Sequence, residues 1–170
     1  MAEFNEDMRL CSILLRMGHV TSEQMDEALD IQQVRQKRIG ELLIELEYID
    51  EEALLVALSE QFDIPYALDI KDAIDPALTV KVPMAFIKQY EMVPYAEVDG
   101  TYQIAIRNPV NLLPLDDLRM LLNGPVTPIL CCEAAIQSVM DSYFDHQGDN
   151  ASEMIEDIKS NDDEPVYSLD

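Results

Sequence analysis

The chain has little positive charge. Eleven Lys and Arg stand against 34 Asp and Glu in 170 residues, a formal net charge of −23 at pH 7. A surface of that sign repels phosphate backbones and anionic headgroups, which argues against a general nucleic-acid or acidic-membrane platform. The three cysteines, two of them adjacent (Cys131, Cys132), form neither a disulfide framework nor a CxxC pair. A reduced, cytoplasmic setting is therefore expected. The opening MAEFNEDM has no basic stretch and no apolar stretch, so no signal peptide is expected. No apolar run approaches the roughly 18 residues of a membrane span, and direct membrane insertion is not expected.

Catalytic signatures are lacking too. GxxxxGK[ST], GxGxxG, HExxH and GxSxG do not occur. His19 and His146 have no Cys or second His at ligand spacing, so no metal site is expected. Cys131 and Cys132 end a predicted strand, where neighbouring side chains point to opposite faces; one is expected in the core and the other half-exposed. Asp116 and Asp117 sit early in a predicted helix, where acids favour the dipole. Nothing assembles a nucleophile, a base and an oxyanion site, and a non-enzymatic protein is expected.

What is present is a repeat in a globular chain with 48% apolar residues. RLCSILLRMGHVTSEQMDEALDIQ begins at Arg9 and RIGELLIELEYIDEEALLVALSEQ at Arg38, copies of one 24-residue pattern set 29 positions apart. The opening Arg, Leu14/Leu43, Glu23/Glu52, Ala28/Ala57, Leu29/Leu58 and the closing Gln32/Gln61 are identical. Such a period means one supersecondary unit used twice. Leu10, Ile13, Leu14 and Met17 have helical spacing, as do Ile39, Leu42, Leu43 and Leu46. Gly18 suits a left-handed helix end, and Glu47 stands at the matching position of the second copy. Thr21 with Gln24 reads as a capping box, and Asp50 as the N-cap of the following helix. Each copy is thus an αα-hairpin, with Arg9 and Arg38 at helix starts.

The pattern changes at Asp63-Ile64-Pro65-Tyr66. Beyond it a helix is predicted over Pro83 to Tyr90, with strands over Met92 to Val98 and Tyr102 to Arg107 around the hairpin signal Asp99-Gly100. A helix over Leu112 to Leu122, a strand over Val126 to Cys131 and a helix over Glu133 to Phe144 follow. The expected fold class is α+β: a four-helix array over 1–62, an α-β-β-α-β-α subdomain over 63–145, and a flexible acidic tail over 146–170. From Asp145 onward nine acidic residues accompany only Lys159.

Arg9 and Arg38 admit two readings. They are either solvated residues at helix starts, or paired forks that stack on a base or bind guanine and phosphate beside helix N-termini.

The duplicated R-L-G-x-x-L-L-x-x-G-x-x-x-x-x-x-L-x-x-x-L-x-x-Q pattern resembles the amino-terminal domain of type II secretion and type IV pilus assembly ATPases, the MshE or GspE N-terminal domain. The similarity continues through Ile64-Pro65-Tyr66, Val93-Pro94, Asp99-Gly100, Ile106-Arg107-Asn108-Pro109 and Leu115-Asp116-Asp117-Leu118-Arg119, covering residues 7 to 145. It implies docking between a cytoplasmic motor and inner-membrane platform proteins, or cyclic di-GMP binding across the two copies. The site residues it implies are Arg9, Leu10, Leu14, Leu29 and Gln32, then Arg38, Ile39, Gly40, Leu43, Leu54, Leu58 and Gln61. Beyond that ligand no cofactor is implied. Glu164-Pro165-Val166 resembles the start of the linker to the motor, which lies outside these 170 residues. Two positions depart from the pattern. Cys11 puts a Cβ where glycine allows close approach to a ligand, and Glu47 adds an anion near a site for a dianion.

Overall fold

The computed structural model describes residues 2–145. Four helices come first: α1 (Ala2–Met17), α2 (Ser22–Arg35), α3 (Ile39–Glu45) and α4 (Glu51–Phe62). Their ends are set by local hydrogen bonding. The Thr21 side chain accepts from Gln24 N while Gln24 Oε1 accepts from Thr21 N, closing the capping box in front of α2. Asp50 accepts from Ala53 N at 2.8 Å in front of α4. The two hairpin loops match bond for bond. His19 N donates to Leu14 O at 3.1 Å, and Tyr48 N donates to Leu43 O at 2.9 Å. Gly18 has φ of 75° and Glu47 has φ of 57°, so the glutamate keeps the left-handed conformation that glycine adopts freely.

Copy one departs from the expected boundaries. Arg9 lies well inside α1, which begins at Ala2, so only Arg38 stands at a helix start, as the N-cap of α3. The segment 2–8 contains neither Gly nor Pro, and Glu3, Glu6 and Asp7 suit the positive end of a helix. Nothing there stops the helix from starting early.

The helices pair across the copies. α1 packs on α4 and α2 on α3. The first helix of each copy therefore meets the second helix of the other, the exchange expected of two units related by a pseudo-twofold axis. Their core contains the fully buried Leu14, Ile39 and Leu43 together with Cys11, Met25 and Ala57.

A four-stranded sheet in the order β1-β4-β3-β2 follows. β2 (Met92–Val98) and β3 (Thr101–Ile106) are antiparallel, joined at Asp99 and Gly100, whose φ values of 51° and 76° make the expected two-residue turn. β4 (Val126–Cys131) runs parallel to β3. β1 (Tyr66–Ala67), two residues pairing parallel to β4, is an element the periodicity did not predict. Two residues carry no alternation to read. Helices α5 (Met84–Tyr90), α6 (Pro114–Leu122) and α7 (residues 133–145) cover the sheet, with 3-10 turns at Lys71–Ala73 and Pro76–Val80. The fully buried Tyr143 of α7 donates its hydroxyl to Pro94 O at 2.8 Å, tying the last helix to β2. The α+β class is as expected; the tail over 146–170 lies outside the described residues. α4 serves both cores: Leu55 belongs to the sheet core, and Leu58 packs against both.

Candidate ligand-binding cleft

Between the helical repeats and the sheet subdomain lies a cleft of about 830 Å³, within the size range of ligand pockets. Leu10 and Gln32 of the first copy line it, with Arg38, Gly40, Leu54, Leu58 and Gln61 of the second. The opposite wall is built from the turn after β3 (Arg107 to Val110) and the end of β4 (Cys131 to Glu133).

Gly40 shows why this position is glycine. A Cβ built there would fall 2.7 Å from Leu54 Cδ1 and 3.6 Å from Leu10 Cδ2. The absent side chain lets Leu10 and Leu54 close over the start of α3 and form an apolar floor. The Arg38 guanidinium is exposed at the rim, without an ion pair among the described residues. Lys37 and Arg35 are both engaged with Glu45, and Lys37 holds the Glu45 carboxyl below its ordinary pKa. Arg107 reaches Glu133 at 3.3 Å across the far wall.

The remaining expected site residues divide by role. Leu14, Ile39 and Leu43 are fully buried in the helical core, and the half-buried Leu29 packs against it. None of these four lines the cleft. They shape it by holding the helices. Arg9 does not join Arg38: it lines a separate, shallower hollow with Met8, Ser12, Ile13, Glu60 and Gln61. Gln61 lines both hollows. Cys11 is 4% exposed and lines neither. Burial first, and Asp7 next, push its thiol to about 11. Glu47 is likewise absent from both walls.

Sequence reasoning missed the acidic lining. Glu6, Asp7, Glu41, Glu51, Glu91 and Glu133 face three cations, Lys37, Arg38 and Arg107. Glu6 and Asp7 enter because α1 starts early, and neither falls inside the repeat pattern. The Arg107-Asn108-Pro109 wall did carry a signal, as a turn-forming stretch after a strand. Among the described residues no group of three or more His, Cys, Asp or Glu could hold a metal ion. None of the described helices is long and apolar enough to cross a membrane.

Comparison with known proteins places these features in context. The MshEN domain model matches residues 62–150, more than half of the chain. The type IV pilus assembly ATPase PilB of Myxococcus xanthus is 26% identical over 151 residues, covering 88% of this chain and 26% of that protein. PilB of Thermus thermophilus is 28% identical over 172 residues, covering 80% and 19%. The chain thus spans about a quarter or less of the length of these relatives. A structure of MshE with cdg superposes with a TM-score of 0.65 at 23% identity, covering 79% of this chain and 96% of that one. The N-terminal domain of XpsE gives 0.57 at 16% identity, covering 81% and 94%. Both likenesses are of fold.

Proposed function

This chain belongs to the MshEN domain family, a non-catalytic domain, and from that premise we propose that it binds cyclic di-GMP in the cleft between its two subdomains. The observation that carries this reading is the convergence of both copies on one cavity: Leu10 and Gln32 from the first, Arg38, Gly40, Leu54, Leu58 and Gln61 from the second. A twofold-symmetric dinucleotide suits two units whose helices pair crosswise. The fold neighbour MshE, with cdg, supports the same ligand class. Arg38 supplies the fork for guanine or phosphate, and the leucines supply an apolar floor for the bases. Residues 1–62 act as the ligand-binding unit, and 63–145 as the unit that reads its occupancy. That occupancy feeds a secretion or pilus ATPase on the cytoplasmic side.

With more carboxylates than cations around the cleft, apolar and hydrogen-bonding contacts carry more of the affinity than charge does. Titration calorimetry on the full chain tests this. Cyclic di-GMP gives saturable heat, and Arg38→Ala weakens binding at least about tenfold, the loss of one charge-assisted contact. No heat at high micromolar ligand, from a folded sample, contradicts the reading.

A second reading is supported by α6. Met120 is 74% exposed and Leu113, just before the helix, 79%, two apolar side chains on a face that also carries the exposed Asp116 and Asp117, a mixed surface of the kind that docks on other proteins. Loss of nucleotide binding with folding intact would leave this adaptor role alone.

A further inference from the structure

Of the cations that line the cleft, Lys37, Arg38 and Arg107, the last alone belongs to the sheet subdomain. Lys37 is held by Glu45, and Arg38 is unpaired among the described residues. Arg107 faces both from the far wall on a fixed backbone. Ile106 before it is fully buried and pairs with Met92 in β2 and Leu130 in β4. Asn108 Oδ1 after it accepts from Val110 N at 3.0 Å and closes the turn. The side chain of Arg107 is held far less firmly. Its contact with Glu133 Oε2 is 3.3 Å long, between side chains 40% and 66% exposed. A close charge-assisted bond measures about 2.7–2.9 Å, and an exposed pair longer than that holds little against water. Glu133 is the first residue of α7 and lines the cleft as well. A carboxylate there stays favoured by the helix dipole when its arginine leaves.

We propose that Arg107 exchanges its ion pair with Glu133 for a phosphate of the bound dinucleotide, so that occupancy of the cleft is passed to the start of α7. The inference rests on the dinucleotide reading above and adds a ligand contact outside the repeats. A cyclic dinucleotide carries two phosphodiester anions. Arg9 does not reach the cleft, which leaves Arg107 as the one arginine besides Arg38 in its lining among the described residues. An arginine fork takes a phosphate through two N–H groups, against a single contact in its pair with Glu133. The ligand therefore outcompetes the carboxylate without moving the strand that carries Arg107. Release of Glu133 then alters the first turn of α7, the last described helix before residues 146–170.

Titration calorimetry of the full chain with cyclic di-GMP tests the exchange. Arg107→Ala is expected to weaken binding about tenfold, the loss of one charge-assisted contact, and to make the affinity less sensitive to salt. Glu133→Gln releases Arg107 and strengthens binding by up to about fivefold, the worth of an exposed ion pair. Removing any carboxylate from the cleft also favours a dianion, and Glu91→Gln measures that effect alone. Glu91 lines the cleft without an ion pair among the described residues. Glu133→Gln therefore gains more than Glu91→Gln in the wild-type chain, and the same amount in Arg107→Ala, where no arginine remains to be released. All three side chains are exposed, so melting temperatures stay at the wild-type value. Amide shifts give the second reading: Glu133, Ala134 and Ala135 move on saturation of the wild type and stay in place in saturated Arg107→Ala. Wild-type affinity in Arg107→Ala overturns the contact while the reading of the cleft stands. A Glu133→Gln gain no larger than that of Glu91→Gln overturns the exchange, and still α7 amides in a saturated wild type overturn the transfer. Absence of binding by the wild type overturns the dinucleotide reading and this contact with it.

Discussion

Gly40 lies where helix packing and ligand access compete for the same space. Alanine there would gain about 0.5–1 kcal/mol of helix propensity. Its methyl would also meet Leu54 Cδ1, 2.7 Å from the built Cβ, the free end of a half-buried side chain that can turn toward the cleft. The two effects nearly offset. Gly40→Ala is expected to change stability by less than about 1 kcal/mol in urea unfolding, and to weaken cyclic di-GMP binding as Leu54 is pushed into the cleft. Cys11 occupies the equivalent place in copy one with the opposite outcome. Its side chain is buried in the helical core, beyond both hollows. Cys11→Gly therefore costs about 1–2 kcal/mol, from lost packing and added chain entropy, and leaves nucleotide affinity within a factor of two. A rise of tenfold or more would show that Cys11 does crowd the ligand. The sequence alone treats Cys11 and Gly40 as matched positions, because a period records spacing along the chain. Which of the two faces a cavity depends on what packs opposite, and the sheet subdomain packs opposite only one.

Among the elements, those fixed by short-range chemistry are legible in the sequence. Thr21 with Gln24, Asp50, and Asp99-Gly100 each name their own hydrogen bond or backbone angle, so cap and turn can be placed without knowing the fold. β1 could not be read, since Tyr66 and Ala67 become a strand only by pairing with Leu130 and Cys131. The early start of α1 was missed for a related reason: the repeat begins at Arg9, and the helix ignores that boundary. Two loops of the same shape give the element-scale prediction. Glu47 holds φ of 57° where Gly18 holds 75°, and a left-handed L-residue costs about 1–2 kcal/mol. Part of that is returned by the greater freedom of glycine in the unfolded chain. Glu47→Gly should then raise stability by about 0.5–1 kcal/mol, seen as a melting temperature higher by about 1–3 °C. A lower melting temperature would mean that the Glu47 side chain supplies something the backbone geometry does not show.

For the whole molecule, the crosswise pairing of α1 with α4 and of α2 with α3 makes the two copies one object. Neither hairpin keeps its core without the other, and the cleft exists only where that object meets the sheet. α4 belongs to both cores through Leu55 and Leu58, so a ligand wedged against Leu54 and Leu58 presses on the element the subdomains share. This is a physical route by which occupancy could be read at Arg107 to Val110. The change of pattern at Asp63 is readable in the sequence. The meeting of helices and sheet in a cleft is not, since no local pattern encodes which surfaces face each other.

Amide chemical-shift mapping of the full chain during a cyclic di-GMP titration tests the shared cleft most directly. One saturable process should move Leu10 and Gln32, Arg38, Gly40 and Gln61, and the Asn108 and Val110 amides across the cleft, all with the same midpoint. Shifts confined to one copy, or two sets of residues saturating at different ligand concentrations, would contradict a single ligand held by both repeats.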